Sequence, residues 1–334
     1  MSGRKTADIG FGLIGLGHHG VRYARHLAGD IPGVSLRAVS RRDSIEGRAL
    51  AESLGARYYA DYVDLLKDPH IRAVVICSPT VCHRDMAVAA AERGTSILLE
   101  KPIAVTPAEA EDILEAVRIH GARLMVAQTL RYEPLARAFR ESLPSVGRVR
   151  TINLQHRSKD IRTAEGAADR DSVHRGVLLD TGVHYFDLLG WLFPGRFDGA
   201  WCQVRRHERA QSEDAFVALL SGPDLQATVD VCRATPARYE SWVAAGEHGT
   251  LVGDRFAHRL ALVTPEGLKP LPLPDPGPTL PRVIRSFVRS LGSGGPFDVP
   301  GEAARDAVAI VEACRRSSES GEPVTCRFAH PSGG

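Results

Sequence analysis

The chain has no apolar run long enough to cross a membrane and no strong excess of either charge. Its first ten residues are mostly polar, and the run Ile9 to Ile14 is too short for a secretory leader or a span. A cytoplasmic protein is the expectation. A formal net charge of +2 over 334 residues gives no reason to expect nucleic acid or an anionic membrane as partner. The six cysteines (Cys77, Cys82, Cys202, Cys232, Cys314, Cys326) form no C-x-x-C pair and no zinc spacing. Several lie in apolar runs, which reads as buried free thiols. No internal repeat is present. What remains is ordinary globular composition, 43% hydrophobic and 25% charged, in a chain long enough for two domains.

From Ile9 to about Val126 short β-branched runs alternate with longer amphipathic ones. Strands are expected at Phe11–Ile14, Val34–Val39, Ala73–Cys77, Ser96–Leu99 and Arg123–Val126. Helices are expected at Val21–Ala28, Ile45–Leu54, Asp85–Arg93 and Pro107–His120, several ending at glycine. Thr106, Pro107 and Glu109 together make a strong helix start. Such alternation predicts βαβ units and a doubly wound parallel sheet over residues 1–127. Residues 128–334 read as an α+β domain of mostly antiparallel strands, with helices near Glu133–Ser142, Thr181–Phe193, Val283–Leu291 and Ala303–Ser318. The Pro-rich stretch Leu271–Pro281 reads as a loop or linker. Many strands and few helices leave one sheet face uncovered, and a second subunit is its expected cover.

Three segments carry chemistry. Phe11–Ile14 runs into Gly15-Leu16-Gly17-His18-His19-Gly20 and then a helix, the context in which G-x-G-x-x-G binds a dinucleotide. Gly15 allows the turn, Gly17 admits a pyrophosphate, Gly20 allows close packing, and the helix N-terminus attracts phosphate. His18 and His19 read as loop residues beside that cofactor, because adjacent side chains rarely meet at one metal. The second strand ends in Ser40-Arg41-Arg42, where an NAD enzyme normally has an acid for the ribose hydroxyls. Arginine there pairs with a 2′-phosphate, which favours NADP over NAD.

Glu100-Lys101-Pro102 closes the apolar strand Ser96–Leu99 and puts an ammonium at the carboxyl end of a buried strand, where ligands bind. Asp180 and His184 are four apart at the start of a helix, so both fall on one face. A carboxylate orients a histidine, and histidine exchanges protons near neutral pH. Asp180 as a simple helix cap, with His184 packed in the core, is the competing reading.

The ordered set of these motifs resembles the Gfo/Idh/MocA oxidoreductases over nearly the whole chain. It includes the glycine turn, Ser78-Pro79-Thr80-Val81-Cys82-His83, Leu99-Glu100-Lys101-Pro102, Arg131-Tyr132-Glu133-Pro134, the Asp180–His184–Asp187 helix and Gly246-Glu247-His248-Gly249. The resemblance implies a Rossmann domain, a C-terminal domain with a large open sheet, and homodimers or homotetramers built on that sheet. It also implies hydride transfer between a nicotinamide cofactor and a secondary alcohol or ketone of a sugar, sugar derivative or cyclitol. The alternatives are a reductase or diol dehydrogenase of the same fold on a non-sugar substrate, and a non-enzymatic dinucleotide sensor. In the first reading Lys101 would polarise the substrate oxygen, His184 exchange its proton, and Asp180 orient His184 or bind a neighbouring hydroxyl. Ser78, Pro79 and Glu100 would join the cofactor site. Arg131 and Tyr132 line the cleft or pack between the two domains; both readings stand. His174, in the polar stretch Arg157–Arg175, is a candidate substrate contact. His83 is expected at a helix start near the cofactor and is given no chemical role.

Overall fold

The computed structural model describes residues 8–29, 31–42, 44–159, 176–207 and 212–326. The chain forms two compact units. One comprises the chain up to Gln128 with Pro278–Arg305; the other comprises Thr129–Gly277 with the chain from Asp306 onward.

The first unit is built on β1 (Ile9–Ile14), β2 (Val34–Ser40), β3 (Arg57–Tyr59), β4 (Ala73–Ile76), β5 (Ser96–Glu100) and β6 (Leu124–Ala127). They form a parallel sheet in the order β3-β2-β1-β4-β5-β6. Between them run α1 (His18–Gly29), α2 (Ser44–Ser53), α3 (Tyr62–Leu65), α4 (His83–Glu92) and α5 (Pro107–Ile119). Every residue of β4 and β6 is buried, as expected for strands covered on both faces, and so their sequences are continuous apolar runs. Thr106 accepts from the Glu109 amide while the Glu109 side chain returns to the Thr106 amide, completing the capping box that starts α5. Periodicity gives no sign of β3 or α3, because three and four residues are too few to show a period.

The second unit contains α6 (Pro134–Ser142), β7 (Val149–Lys159), α7 (Val183–Leu192), β8 (Gly199–Arg205), β9 (Ala215–Ser221), β10 (Gln226–Cys232) and β11 (Ala234–Gly246). These are followed by β12 (Thr250–Asp254), β13 (Arg259–Thr264) and β14 (Gly267–Pro270). Then come α8 (Thr279–Ser293), α9 (Gly301–Ser320) and β15 (Val324–Thr325). The sheet runs β14-β13-β12-β11-β7-β10-β9-β8-β15 and is antiparallel except where β10 pairs with β7. Strict alternation of buried and open positions along β9 and β10 leaves one face packed and the other free. On the packed face Trp242 is fully buried and meets the Phe139 ring of α6 at 5.8 Å. Gly253 lets Leu135 approach β12, since a Cβ there would lie 3.1 Å from it.

α8 departs from the sequence-based division at 127/128. It lies in the second half of the chain but clusters with the first unit. Its Phe287 packs on Phe11 with ring centroids 6.0 Å apart, and Arg123 donates to the Ser290 carbonyl at 2.8 Å. An amphipathic pattern shows that a helix buries one face, not which core receives it. Among the described residues no helix is long and apolar enough to cross a membrane.

Candidate active site

In the first unit the turns after β2, β1, β4 and β5 lie side by side along the carboxyl edge of the sheet. The strand order reverses between β1 and β4, the place where doubly wound sheets bind ligands. The sheet therefore brings Ser40–Arg42, Gly15–Gly20, Ser78–Pro79 and Glu100–Lys101 to one edge.

The three glycines have separate causes. Gly15 has φ +95°, and a Cβ there would lie 2.5 Å from the Cys77 carbonyl oxygen. A Cβ on Gly20 would lie 2.0 Å from the Gly15 carbonyl oxygen. At Gly17 an added Cβ would meet nothing within 4 Å. The chain's own backbone requires the first and third glycines, whereas the second leaves open space at the N-terminus of α1. That combination fits a pyrophosphate seated on the helix amides. The rings of His18 and His19 lie edge to face, 5.8 Å apart. Burial lowers the pKa of His19; Glu100 opposes the shift, and Arg22, Lys101 and His18 add to it.

At the end of β2 Ser40 is buried and its carbonyl accepts the Gly15 amide at 3.0 Å. The Arg41 guanidinium lies 2.7 Å from Glu46, and Tyr58 donates its hydroxyl to the Arg41 carbonyl at 2.7 Å. Arg42 is exposed.

Glu100 organises the lysine turn. One carboxylate oxygen accepts from the Tyr23 hydroxyl at 2.7 Å and the other from the Lys101 amide at 3.0 Å. Tyr23 is fully buried on α1, so this carboxylate ties the helix of the glycine turn to the backbone of Lys101. Lys101 is half-buried, and its bond to Pro102 is cis. Burial, with Glu100 nearby, pushes the Cys77 thiol far up, so it remains protonated.

In the second unit Leu178–Gly182 forms a π-turn, wider than an α-helical turn, that leads into α7. Wide turns of this kind concentrate at functional positions. Gly182 makes the turn possible against its surroundings, because a Cβ would lie 3.1 Å from Phe216. Asp180 sits in the turn and His184 in the first turn of α7, both half-buried, whereas Tyr185, Phe186 and Asp187 beyond them are buried. The Asp180 carboxylate accepts from Arg233 at 2.8 Å. Arg233 is itself 8% exposed, and its amide donates to the Asp214 carbonyl at 2.8 Å.

Arg131 and Tyr132 are buried in a short helical turn after β6. Nε and Nη2 of Arg131 donate to the two Asp187 oxygens at 2.7 and 2.6 Å, a bidentate pair that holds the inner side of α7. Burial raises the pKa of Asp187, and Arg131 counters it. Behind Tyr185 the fully buried Glu240 accepts from Trp242 at 3.1 Å and from Arg255 at 3.1 Å. His174 lies outside the described residues.

Sequence reasoning passed over Tyr23, Arg233 and a role for His83. None has a local signal: a tyrosine in an amphipathic helix and an arginine after a strand read as packing and surface charge until the partner is known.

The oxidoreductase family model with an NAD-binding Rossmann fold matches residues 9–128, and the Gfo/Idh/MocA C-terminal domain model matches residues 144–252. Inositol 2-dehydrogenase 1 of Saccharopolyspora erythraea is 29% identical, covering 95% of this chain and 96% of the relative. The scyllo-inositol 2-dehydrogenase (NAD(+)) of Bacillus subtilis is 29% identical over 54% of this chain and 52% of its own length. An Agrobacterium radiobacter oxidoreductase, solved with NAD+, L-tartaric acid and magnesium, superposes with a TM-score of 0.84 over 96% of this chain and 99% of that one. At 22% identity the last is a likeness of fold.

Proposed function

This chain belongs to the Gfo/Idh/MocA oxidoreductase family, and we propose that it is an NAD(P)-dependent dehydrogenase or reductase acting on a secondary alcohol or ketone of a sugar, sugar derivative or cyclitol. The observation that carries this reading is Lys101 held by Glu100 on the same sheet edge as the glycine turn. The inositol dehydrogenases among its relatives support the substrate class.

Gly15, Gly17 and Gly20, with His18 and His19 at the start of α1, hold the cofactor pyrophosphate. Ser40, Arg41 and Arg42 take the adenosine ribose, and Ser78, Pro79, Glu100 and Lys101 the nicotinamide end. The bound nicotinamide supplies the hydride acceptor or donor. The Lys101 ammonium binds the substrate oxygen and stabilises the negative charge that develops there. His184 takes the hydroxyl proton on oxidation and returns it on reduction. Asp180, fixed by Arg233, orients His184 or accepts from a neighbouring substrate hydroxyl. For Arg131 and Tyr132 we assign packing within the second unit, neither a cleft contact nor an interdomain one, on the buried Arg131–Asp187 pair.

We assign NADP as the preferred cofactor. β2 ends in Ser40-Arg41-Arg42 with no acid at the usual ribose-binding position, and a 2′-phosphate would take the place of the exposed Glu46 on Arg41. The open face of the second sheet supports a homodimer or homotetramer. A cross-strand row of Trp201, Leu219, Thr228, Asn153, Val243, Val252 and Ala261 runs across it and is largely apolar.

The test is Lys101→Met assayed on a sugar and inositol panel, with NADH and NADPH titrated by fluorescence. The expected result is a loss of about 10²–10³-fold in kcat/KM in a folded protein that still binds the cofactor. Undiminished turnover removes the assigned role, and tighter binding of NADH than NADPH removes the NADP preference.

A further inference from the structure

Among the described residues His83 is fully buried, and its ring touches two of the turns at the sheet edge. It opens α4, just after the short helical turn Thr80–Cys82. Its Nδ1 lies 2.8 Å from the Pro102 carbonyl oxygen and its Nε2 lies 3.0 Å from the Ser78 carbonyl oxygen. Ser78 follows β4 and Pro102 follows Lys101, so a single ring spans the backbones of neighbouring turns. With 0% exposure it has no route to a substrate.

We propose that His83 is a positioning residue for Lys101, holding the carbonyl of the next residue so that the lysine turn keeps one geometry. Glu100 holds Lys101 from its amide side, and His83 holds the turn from the other. Burial drives the imidazole toward its neutral form, against the pull of the two carbonyls and of Glu100. Each ring nitrogen faces a carbonyl oxygen, so each contact is a hydrogen bond only when that nitrogen carries the proton, and the proposal takes Nδ1–H as the donor to Pro102. Holding an ammonium within tenths of an ångström matters because a displacement of about 1 Å costs on the order of 10²-fold in rate.

The inference rests on the proposed role of Lys101, and the experiment separates the two. His83→Asn keeps a donor near the Nδ1 position, whereas His83→Gln places one near Nε2. With both proteins folded at the assay temperature, His83→Gln is expected to lower kcat on the order of 10-fold or more. Its cofactor Kd, read by fluorescence without substrate, stays within about 3-fold. His83→Asn retains most of kcat even if its Tm falls as far as that of His83→Gln. Equal kcat in the wild type and His83→Gln overturns the positioning role, as does an equal loss in both variants that simply follows Tm. Undiminished turnover in Lys101→Met overturns the lysine reading itself. If neither variant folds, 15N-histidine spectra of the wild-type protein decide: a slowly exchanging Nδ1–H supports the assignment and an Nε2–H tautomer overturns it.

Discussion

Arg131 illustrates how a residue's surroundings settle what its type leaves open. An arginine after the last Rossmann strand suits a substrate contact, yet its guanidinium holds Asp187 through two nitrogens, with side-chain exposures of 6% and 1%. Removing one member of a buried pair leaves the other desolvated and unpaired, which is far more costly than losing a surface ion pair. Arg131→Leu is therefore expected to destabilise the second unit by about 3–5 kcal/mol. Urea unfolding followed by tryptophan fluorescence checks it; a change within experimental scatter rejects the pair as structural. The same contrast holds at the glycine turn. Gly15 and Gly20 answer to carbonyl oxygens of the chain itself, and Gly17 answers only to what binds there. The pattern G-x-G-x-x-G is legible in sequence, but that division of labour is not.

At the scale of elements, α7 and the π-turn before it carry the two residues proposed for the proton chemistry. The four-residue spacing of Asp180 and His184 places both at the helix start, as periodicity predicts. Periodicity did not reveal the wider turn, because the extra residue comes from packing: Gly182 closes against Phe216 and Phe186. Nor did it reveal Arg233, which reaches Asp180 from the connection between β10 and β11 across 53 positions of sequence. Arg233→Met removes the guanidinium that donates to the Asp180 carboxylate and so loosens the placement of Asp180. The expected outcome is a kcat lowered on the order of 10-fold, with a shifted pH–rate profile and unchanged cofactor affinity. Stopped-flow measurement of hydride transfer across pH checks it, and an unmoved profile excludes a positioning role for Arg233. α8 makes the same point for packing. Its amphipathic face is plain in sequence, but Phe11 and Phe297 decide which core it joins.

For the whole molecule, the open face of the nine-stranded sheet is the feature that a monomer leaves unexplained. Val217, Val252 and Leu268 are exposed by 45%, 36% and 65% on sheet strands. Exposed apolar side chains on an open sheet face support an interface there. Val252→Glu is expected to weaken self-association, shifting the dissociation constant on the order of 10²-fold by desolvating an unpaired charge. Sedimentation equilibrium checks it, and a wild-type protein that is monomeric at micromolar concentration rules out the interface.

The sequence by itself determined the local and periodic features. These are the parallel βαβ order of the first unit, the glycine turn, the lysine at the end of β5, the capping box of α5 and the Asp180–His184 spacing. Each depends on residues within a turn or two of one another, or on a repeat that a short window displays. Only the tertiary structure decided that Tyr23 and Glu100 bind the Lys101 turn, that His83 bridges Ser78 and Pro102, that Arg233 holds Asp180, and that α8 returns to the first unit. Those contacts join residues up to 276 positions apart, as Phe11 and Phe287 show. No local pattern encodes such a pair, because its energy exists only when both chain segments have been folded into the same core.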